Sequence, residues 1–514
     1  MTSRRTVLKQ LSALSLLPAA AAAREPSVAT TAGTQRQRAF ANALAEQPWL
    51  GGYRSAAPSG YDSEVTVQGR WPEALQGVLY RNGPALHELQ QDRYRHWFDG
   101  DGMLQSFALG GAALRHRGRV IETPKLLAER AAQRRLFPAF DTTPAGGAPM
   151  NGADDMNPAN ISVLAHHDRL YALWEAGSAV EMNPDDLSTI GLRRFSEATE
   201  GVPFAAHPRL DRDGSLWNFG YLSSAGALVL WHLDRAGKVA DTSVLRLGAM
   251  SMPHDMVLTE RYLVLLIPPY LYDTALADQG AQTFLEMHRW QPEEATRALV
   301  IDKNDLSNFQ TIELPAQWVF HFGNGYDDGK DRLRFHGMRA PEPSILTGEF
   351  RAVMRGDHGA SAPATLYEYT LDLKRGIGSE SPLFANGAVS AEFPSFDPRQ
   401  RSLRYEQLVM LSADPRHPTP HGQFSQVRRS HLGTGAQDVF NYPISQIPEE
   451  HLYVPDPARR AEQGGWIIGT AYDFTADRTV LNLFAAEQLS DGPIASATLP
   501  YATPLGLHGT FVPA

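Results

Sequence analysis

From Ser63 onward the chain is a succession of short apolar runs, each closed within a few residues by Gly, Pro, Asp or Asn. Gly77–Tyr80, Met103–Leu109, Leu228–Leu233 and Trp466–Tyr472 are examples. Asp211-Arg212-Asp213-Gly214 and Asp234-Arg235-Ala236-Gly237 separate neighbouring runs, as hairpins demand. Runs this short, rich in β-branched and aromatic residues, suit strands better than helices. Strands recurring every ~8–12 residues leave a sandwich, a barrel or a propeller. The chain is therefore expected to be all-β. Two stretches break the pattern and read as helices, Lys125–Arg135 and Tyr272–Trp290. The second has an apolar face from Leu276, Phe284, Leu285 and Trp290. Such a face packs as a lid or touches a membrane surface.

The stretch Ser251–Pro269 shows the pattern at its clearest. Met256-Val257-Leu258 and Tyr262 to Ile267 flank Thr259-Glu260-Arg261, which reads as a tight turn, and prolines bound the unit. The apolar runs are nearly continuous, so both faces of this hairpin are expected to be covered. His254 stands at its mouth. A histidine at the edge of such a strand points at whatever lies beyond the sheet's end.

Cysteine is absent, which removes disulfides, thiolate metal sites and cysteine nucleophiles together. Any metal must sit on histidine, carboxylate or carbonyl, and 17 histidines are available. The net charge of −10 offers no electrostatic hold on nucleic acid. No Gly-x-Ser-x-Gly elbow, His-Glu-x-x-His pair or phosphate-binding Gly-Lys-Thr/Ser loop is present.

The N-terminus carries an address. Met1 to Ala23 runs from a basic start through the apolar Leu11–Leu17 to a small-residue end, the form of a secretory signal. Arg4-Arg5 in Ser-Arg-Arg-Thr-Val-Leu-Lys fits a twin-arginine leader, with Val7 where that motif prefers Phe. Residues 24–40 read as a polar linker. No composition break follows, so 41–514 is expected to be one domain, exported to the periplasm.

His254 has three counterparts in similar settings: His207 in Ala-Ala-His-Pro, His321 in Val-Phe-His-Phe-Gly and His508 in Gly-Leu-His-Gly. The gaps are 47, 67 and 187 residues. In a seven-bladed propeller with blades of roughly 70 residues, those gaps approximate one, one and three blades. Histidines from four blades would then meet on the axis. On the residues alone, a metal site and four satisfied core histidines both stay open. His116, His166, His167, His417 and His421 lie in polar contexts and read as surface.

Several motifs, in order along nearly the whole chain, resemble those of the carotenoid cleavage oxygenases. They are Arg81-Asn82-Gly83-Pro84, His96-Trp-Phe-Asp-Gly-Asp-Gly-Met103, Ala172-Leu-Trp-Glu-Ala-Gly177, the four histidine contexts, Glu392-Phe393-Pro394 and Glu450-His-Leu-Tyr-Val-Pro455. The resemblance implies a seven-bladed β-propeller with a helical dome over the active-site face. It implies one Fe(2+) held by His207, His254, His321 and His508. It places Glu175 behind His254, Glu392 behind His321 and Glu450 behind His508, and gives His207 no carboxylate partner. The family usually has Pro after that last Glu, where this chain has His451; Glu449 is the alternative. Four neutral imidazoles leave two positions of an octahedron open, unlike the commoner site of two histidines and a carboxylate. The carboxylates would fix tautomers and raise ligand basicity.

The implied reaction is O2-dependent cleavage of a C=C bond in an apolar conjugated molecule, giving two carbonyl products. A carotenoid or apocarotenoid is favoured over a stilbene. Stilbene-cleaving members recognise a phenol with a Tyr and a Lys; Lys125 is placed to fill the second role, but Asp99 stands where the Tyr is expected. A propeller that only binds ligands is the non-enzymatic rival. Asp99-Gly100-Asp101-Gly102 reads as a tight turn whose carboxylates cap backbone N–H groups, since a calcium loop would need further ligands.

Overall fold

A computed structural model describes residues 26–110, 113–384 and 389–514, with no side-chain description for 26–31. The leader lies outside these residues. Seven antiparallel sheets of four or five strands follow one another along the chain and form a β-propeller. Their innermost strands are His508–Pro513, Ser162–His166, Arg209–Leu210, Val257–Leu258, Trp318–Asp327, Ser390–Ser395 and Gln446–Pro455, for blades one to seven.

Both ends of the chain close the ring. His508–Pro513 pairs with Gly77–Leu86 as the inner strand of blade one. Gln68–Gly69 pairs with Ala495–Thr498 at the outer edge of blade seven. Closure at two blades protects edges that would otherwise seek partners. The Arg81-Asn82-Gly83 signature sits where blade one meets its neighbours. Arg81 donates to the Glu450 carbonyl at 2.9 Å. Asn82 Nδ2 donates to the carbonyls of Ala159 and Ser162 in blade two, both at 2.8 Å. A Cβ on Gly83 would lie 2.5 Å from the Gly506 backbone, so the closing segment passes only a glycine here.

The hairpin after His254 forms as expected. Val257–Leu258 pairs with Tyr262–Ile267, and Leu263 to Ile267 are all buried. The inner strands run away from the histidines, so outer connections alternate between the two faces. Turns on the far face are short, as at Asp234, whose carboxylate accepts from the Ala236 and Lys238 backbone N–H groups. The long insertions, residues 121–161, 268–295 and 341–364, all return on the histidine face, where they build the cap with helix Pro124–Ala132 and several single-turn helices.

Three expectations need correction. The lead-in at 24–40 is helical from Pro26, in a helix running to Glu46. Its alanines favour helix, and Phe40 anchors it under the Arg93 guanidinium, 3.5 Å from the ring centroid. Residues 272–290 are not one helix. Thr274–Asp278 and Phe284–Met287 are separate turns beside a ribbon of Tyr270–Tyr272 and His288–Trp290, so no continuous apolar helix face exists. His116 is fully buried between Gln105 and Tyr501, because strand alternation turns it inward while Arg115 points out; His421 and His166 are buried too. Among the described residues no helix is long and apolar enough to cross a membrane.

Candidate metal centre

Each of the four histidines begins, or lies near the start of, an innermost strand. His207 and His254 precede the two-residue inner strands of blades three and four, His321 lies in that of blade five and His508 opens that of blade one. Strand direction therefore brings all four rings to the capped end of the axis. One nitrogen from each lies within 4.8 Å of the others. The Nε2 atoms of His207 and His254 are 3.0 Å apart, and those of His254 and His321 are 3.2 Å apart.

The opposite ring nitrogens face carboxylates. His321 Nδ1 lies 2.6 Å from Glu392 and His508 Nδ1 lies 2.9 Å from Glu450. His254 Nδ1 lies 2.9 Å from Glu175, and no other group reaches either of the buried Glu175 oxygens. No carboxylate stands behind His207 among the described residues. Glu449 turns elsewhere, accepting from Thr470 and the Gly506 N–H, each at 2.6 Å, and from Arg81. It is Glu450, not Glu449, that reaches His508.

The inner strands depart from regular pairing where they carry these groups. Register shifts fall between Val319 and Phe322, between Glu392 and Ser395, and between Pro448 and His451. A bulge turns a side chain that simple alternation would send elsewhere. Phe393 adds backbone strain, with φ of +58° in a region that bulky residues avoid. Its ring covers the imidazoles of His321 and His508, with centroids 5.5 and 5.3 Å away. Phe393 lies within the Glu392-Phe393-Pro394 motif, but nothing in the sequence pointed to this role.

Burial, reinforced by the neighbouring imidazoles, pushes His207 and His321 well below the usual histidine range, so both are neutral. Burial opposes protonation of His254, but Glu175 outweighs it and the net direction is up. Burial pushes Glu392 up to about 8. Burial acts the same way on Glu450, but His508, Arg81 and the Gly509 N–H outweigh it and hold it below the usual range.

This donor set fits a divalent cation. Where Nδ1 gives its proton to a carboxylate, the Nε2 lone pair faces the focus, and two lone pairs at 3.0 Å repel unless a positive charge lies between them. Ligands about 2.1 Å from one ion lie roughly 3.0 Å apart when adjacent in an octahedron. Imidazole nitrogen suits iron, zinc, copper and nickel.

An apolar wall stands over the focus. Phe320 packs edge-on against His254 at 4.9 Å, and Phe98 contacts Phe320, Phe140 and Phe350. Lys125 lies elsewhere in the cap, fully buried. Its ammonium donates to Tyr94 at 2.6 Å, Asp101 at 2.8 Å and Glu129 at 3.0 Å, which uses all three donors and leaves none for a phenol. Asp99 accepts from the His96 and Asp141 N–H groups and from Thr142, so it holds the cap's backbone.

The family model of the retinal pigment epithelial membrane protein, RPE65, matches residues 54–513. The apocarotenoid-15,15'-oxygenase of Synechocystis sp. is 28% identical over 492 residues, covering 90% of this chain and 96% of the relative. The lignostilbene-alpha,beta-dioxygenase isozyme III of Sphingomonas paucimobilis is 27% identical, covering 88% and 94%. The crystal structure of cobalt-substituted Synechocystis apocarotenoid oxygenase matches with a TM-score of 0.81 and 26% identity, over 91% of this chain and 99% of that one. With its propeller closed from both ends around a focus of four histidines, the chain belongs to the RPE65 family of carotenoid cleavage oxygenases.

Proposed function

We propose that this protein is a non-haem Fe(II) dioxygenase that cleaves a C=C bond of a carotenoid or apocarotenoid into two carbonyl products, with O2 as co-substrate. The observation that carries the reading is the convergence of four histidine nitrogens backed by three carboxylates. His207, His254, His321 and His508 would hold the iron. Ferrous iron supplies the one-electron chemistry that lets dioxygen react with a closed-shell polyene. The chain's own residues do the rest. Glu175, Glu392 and Glu450 hold their imidazoles in angle and tautomer. Phe98, Phe320 and Phe393 give an extended apolar chain a dry wall to lie against and keep water from the reacting bond.

The test is anaerobic iron loading followed by oxygen, with an apocarotenal and a hydroxystilbene offered separately. Turnover of the apocarotenal to two carbonyl fragments, followed by absorbance and mass, is the expected result. Turnover of the stilbene alone would transfer the activity to the phenylpropanoid branch that the lignostilbene relative represents. Failure to retain stoichiometric iron would leave a ligand-binding propeller.

The leader supports export in the folded state to the periplasm, by a route that suits a protein loaded with metal before export. Changing Arg4 and Arg5 together to lysine is expected to keep the protein in the cytoplasmic fraction; unchanged periplasmic recovery would remove the twin-arginine reading.

A further inference from the structure

The axis holds more than the histidines. On their far side, away from the cap, a cavity of about 230 Å³ runs from His207 and His508 to Arg209, Asn324 and Arg401. The segment after the inner strand of blade six crosses the axis as its floor. Asn324 Nδ2 donates to the carbonyls of Gln400 at 2.6 Å and Leu403 at 2.8 Å. The Ser402 N–H donates back to Asn324 Oδ1 at 3.0 Å, and Ser402 Oγ reaches the Leu258 carbonyl at 3.3 Å. Beside this floor opens a wider groove of about 600 Å³, walled by Phe396, Leu452, Tyr453, Trp466 and Phe511. Arg209 and Arg401 line both spaces.

The cations around this junction are not alike. Arg209 is committed to Asp255 and to the carbonyls of Met256 and Phe322. Arg399 is committed to Asp397 and to three carbonyls of residues 456–460. Arg401 has no side-chain acceptor among the described residues. The acids nearest it in charge are already engaged, Asp397 by Arg399 and Asp211 by Lys303. Arg401 is half-buried, and burial, then Arg209, weaken its hold on its proton by more than Asp397 and Asp211 strengthen it, as expected for a guanidinium partly removed from water beside another cation.

We propose that the groove and Arg401 form a binding site for an apolar monocarboxylate, with its tail along Phe396, Leu452 and Trp466 and its carboxylate on the Arg401 guanidinium. One unpaired cation beside an apolar wall matches one negative charge on an apolar body better than it matches a phosphate. A planar carboxylate also meets the guanidinium fork with two parallel hydrogen bonds. The site lies across the histidines from the cap, so it is separate from the wall assigned to the polyene, and it does not rest on that assignment.

The test uses the full metal-loaded protein, with decanoate, 1-decanol and acetate as probes in calorimetric titration. Decanoate is expected to bind roughly tenfold or more tighter than either control, a charge-assisted pair being added to the tail's burial. Its binding is expected to change Trp466 fluorescence, and W466F to abolish that change. R401Q breaks no existing ion pair, so it is expected to keep its melting temperature and to bring decanoate down to decanol's affinity; R401K is expected to retain part of the difference. A decanoate-to-decanol ratio near one in the unaltered protein overturns the proposal without any variant. Decanoate affinity that survives R401Q but vanishes when the metal is removed would put the carboxylate on the metal and overturn it equally.

Discussion

His254→Ala is expected to give a folded propeller that retains no iron and shows turnover at the detection limit with any polyene. The reason is positional. The Nε2 of His254 lies close to two others, 3.0 Å from that of His207 and 3.2 Å from that of His321. Removing it opens the middle of the proposed ligand set and leaves His207, which has no carboxylate behind it, without its nearest neighbour. The fold should survive because the hairpin after His254 is held by Leu263 to Ile267 and their partners, not by the imidazole. The melting temperature should still fall. Glu175 would become a buried carboxylate with no partner, a loss of about 1–3 kcal/mol. The double change His254→Ala with Glu175→Gln should therefore melt above the single one, a non-additivity expected only when two groups interact. Metal analysis, oxygen uptake and thermal melts check the three parts. Stoichiometric iron in His254→Ala would remove the ligand assignment, whatever the activity.

Much of this site was legible in the sequence because its first layer is local. Each histidine has apolar or small neighbours and a Gly or Pro close by, at or near a strand's beginning, and that placement follows from a short apolar run and its turn. The seven-bladed architecture was consistent with run spacing, but the ring's closure depends on Gln68-Gly69 and His508–Pro513 pairing with strands at the far end of the chain, which no local pattern shows. The choice between Glu449 and Glu450 was open for the same reason. Neighbours in a strand normally face opposite ways, and a register shift at 448–451 decides which one meets His508. His116 shows the reverse failure: flanking arginines suggested a surface, yet the strand's period of two puts the middle residue inside. Lys125 belongs to a buried network whose members, Tyr94, Asp101 and Glu129, are 31, 24 and 4 residues away. The helix at Pro26–Glu46 was hidden by its polarity, since few apolar residues, Phe40, Ala43 and Leu44 among them, mark its packed side.

Glu392→Gln is expected to weaken metal binding by about 10–100-fold, the usual cost of losing a partner that orients a ligand. The carboxylate's two oxygens are not equivalent. Oε2 accepts from His321 Nδ1 at 2.6 Å and from the Phe393 N–H at 3.0 Å, while Oε1 is buried with no partner. A glutamine can keep its amide oxygen at the first position, and the His321 tautomer with it. Its NH2 group then occupies the second, where nothing accepts, and a buried unsatisfied donor costs about 1–3 kcal/mol. Turning the amide over sets its donors against two others. Turned over, the amide also takes the acceptor away from the Phe393 N–H, so Phe393, already held at a φ of +58°, loses part of what fixes it over His321 and His508. Glu449→Gln is the matched control. Its carboxylate is as buried as that of Glu392 but bonds Thr470, Gly506 and Arg81, so the change should lower the melting temperature and leave metal affinity nearly unaltered. Anaerobic competition against a chelator separates the two. Equal metal affinity in both variants would mean that burial alone, and not the contact with His321, accounts for Glu392.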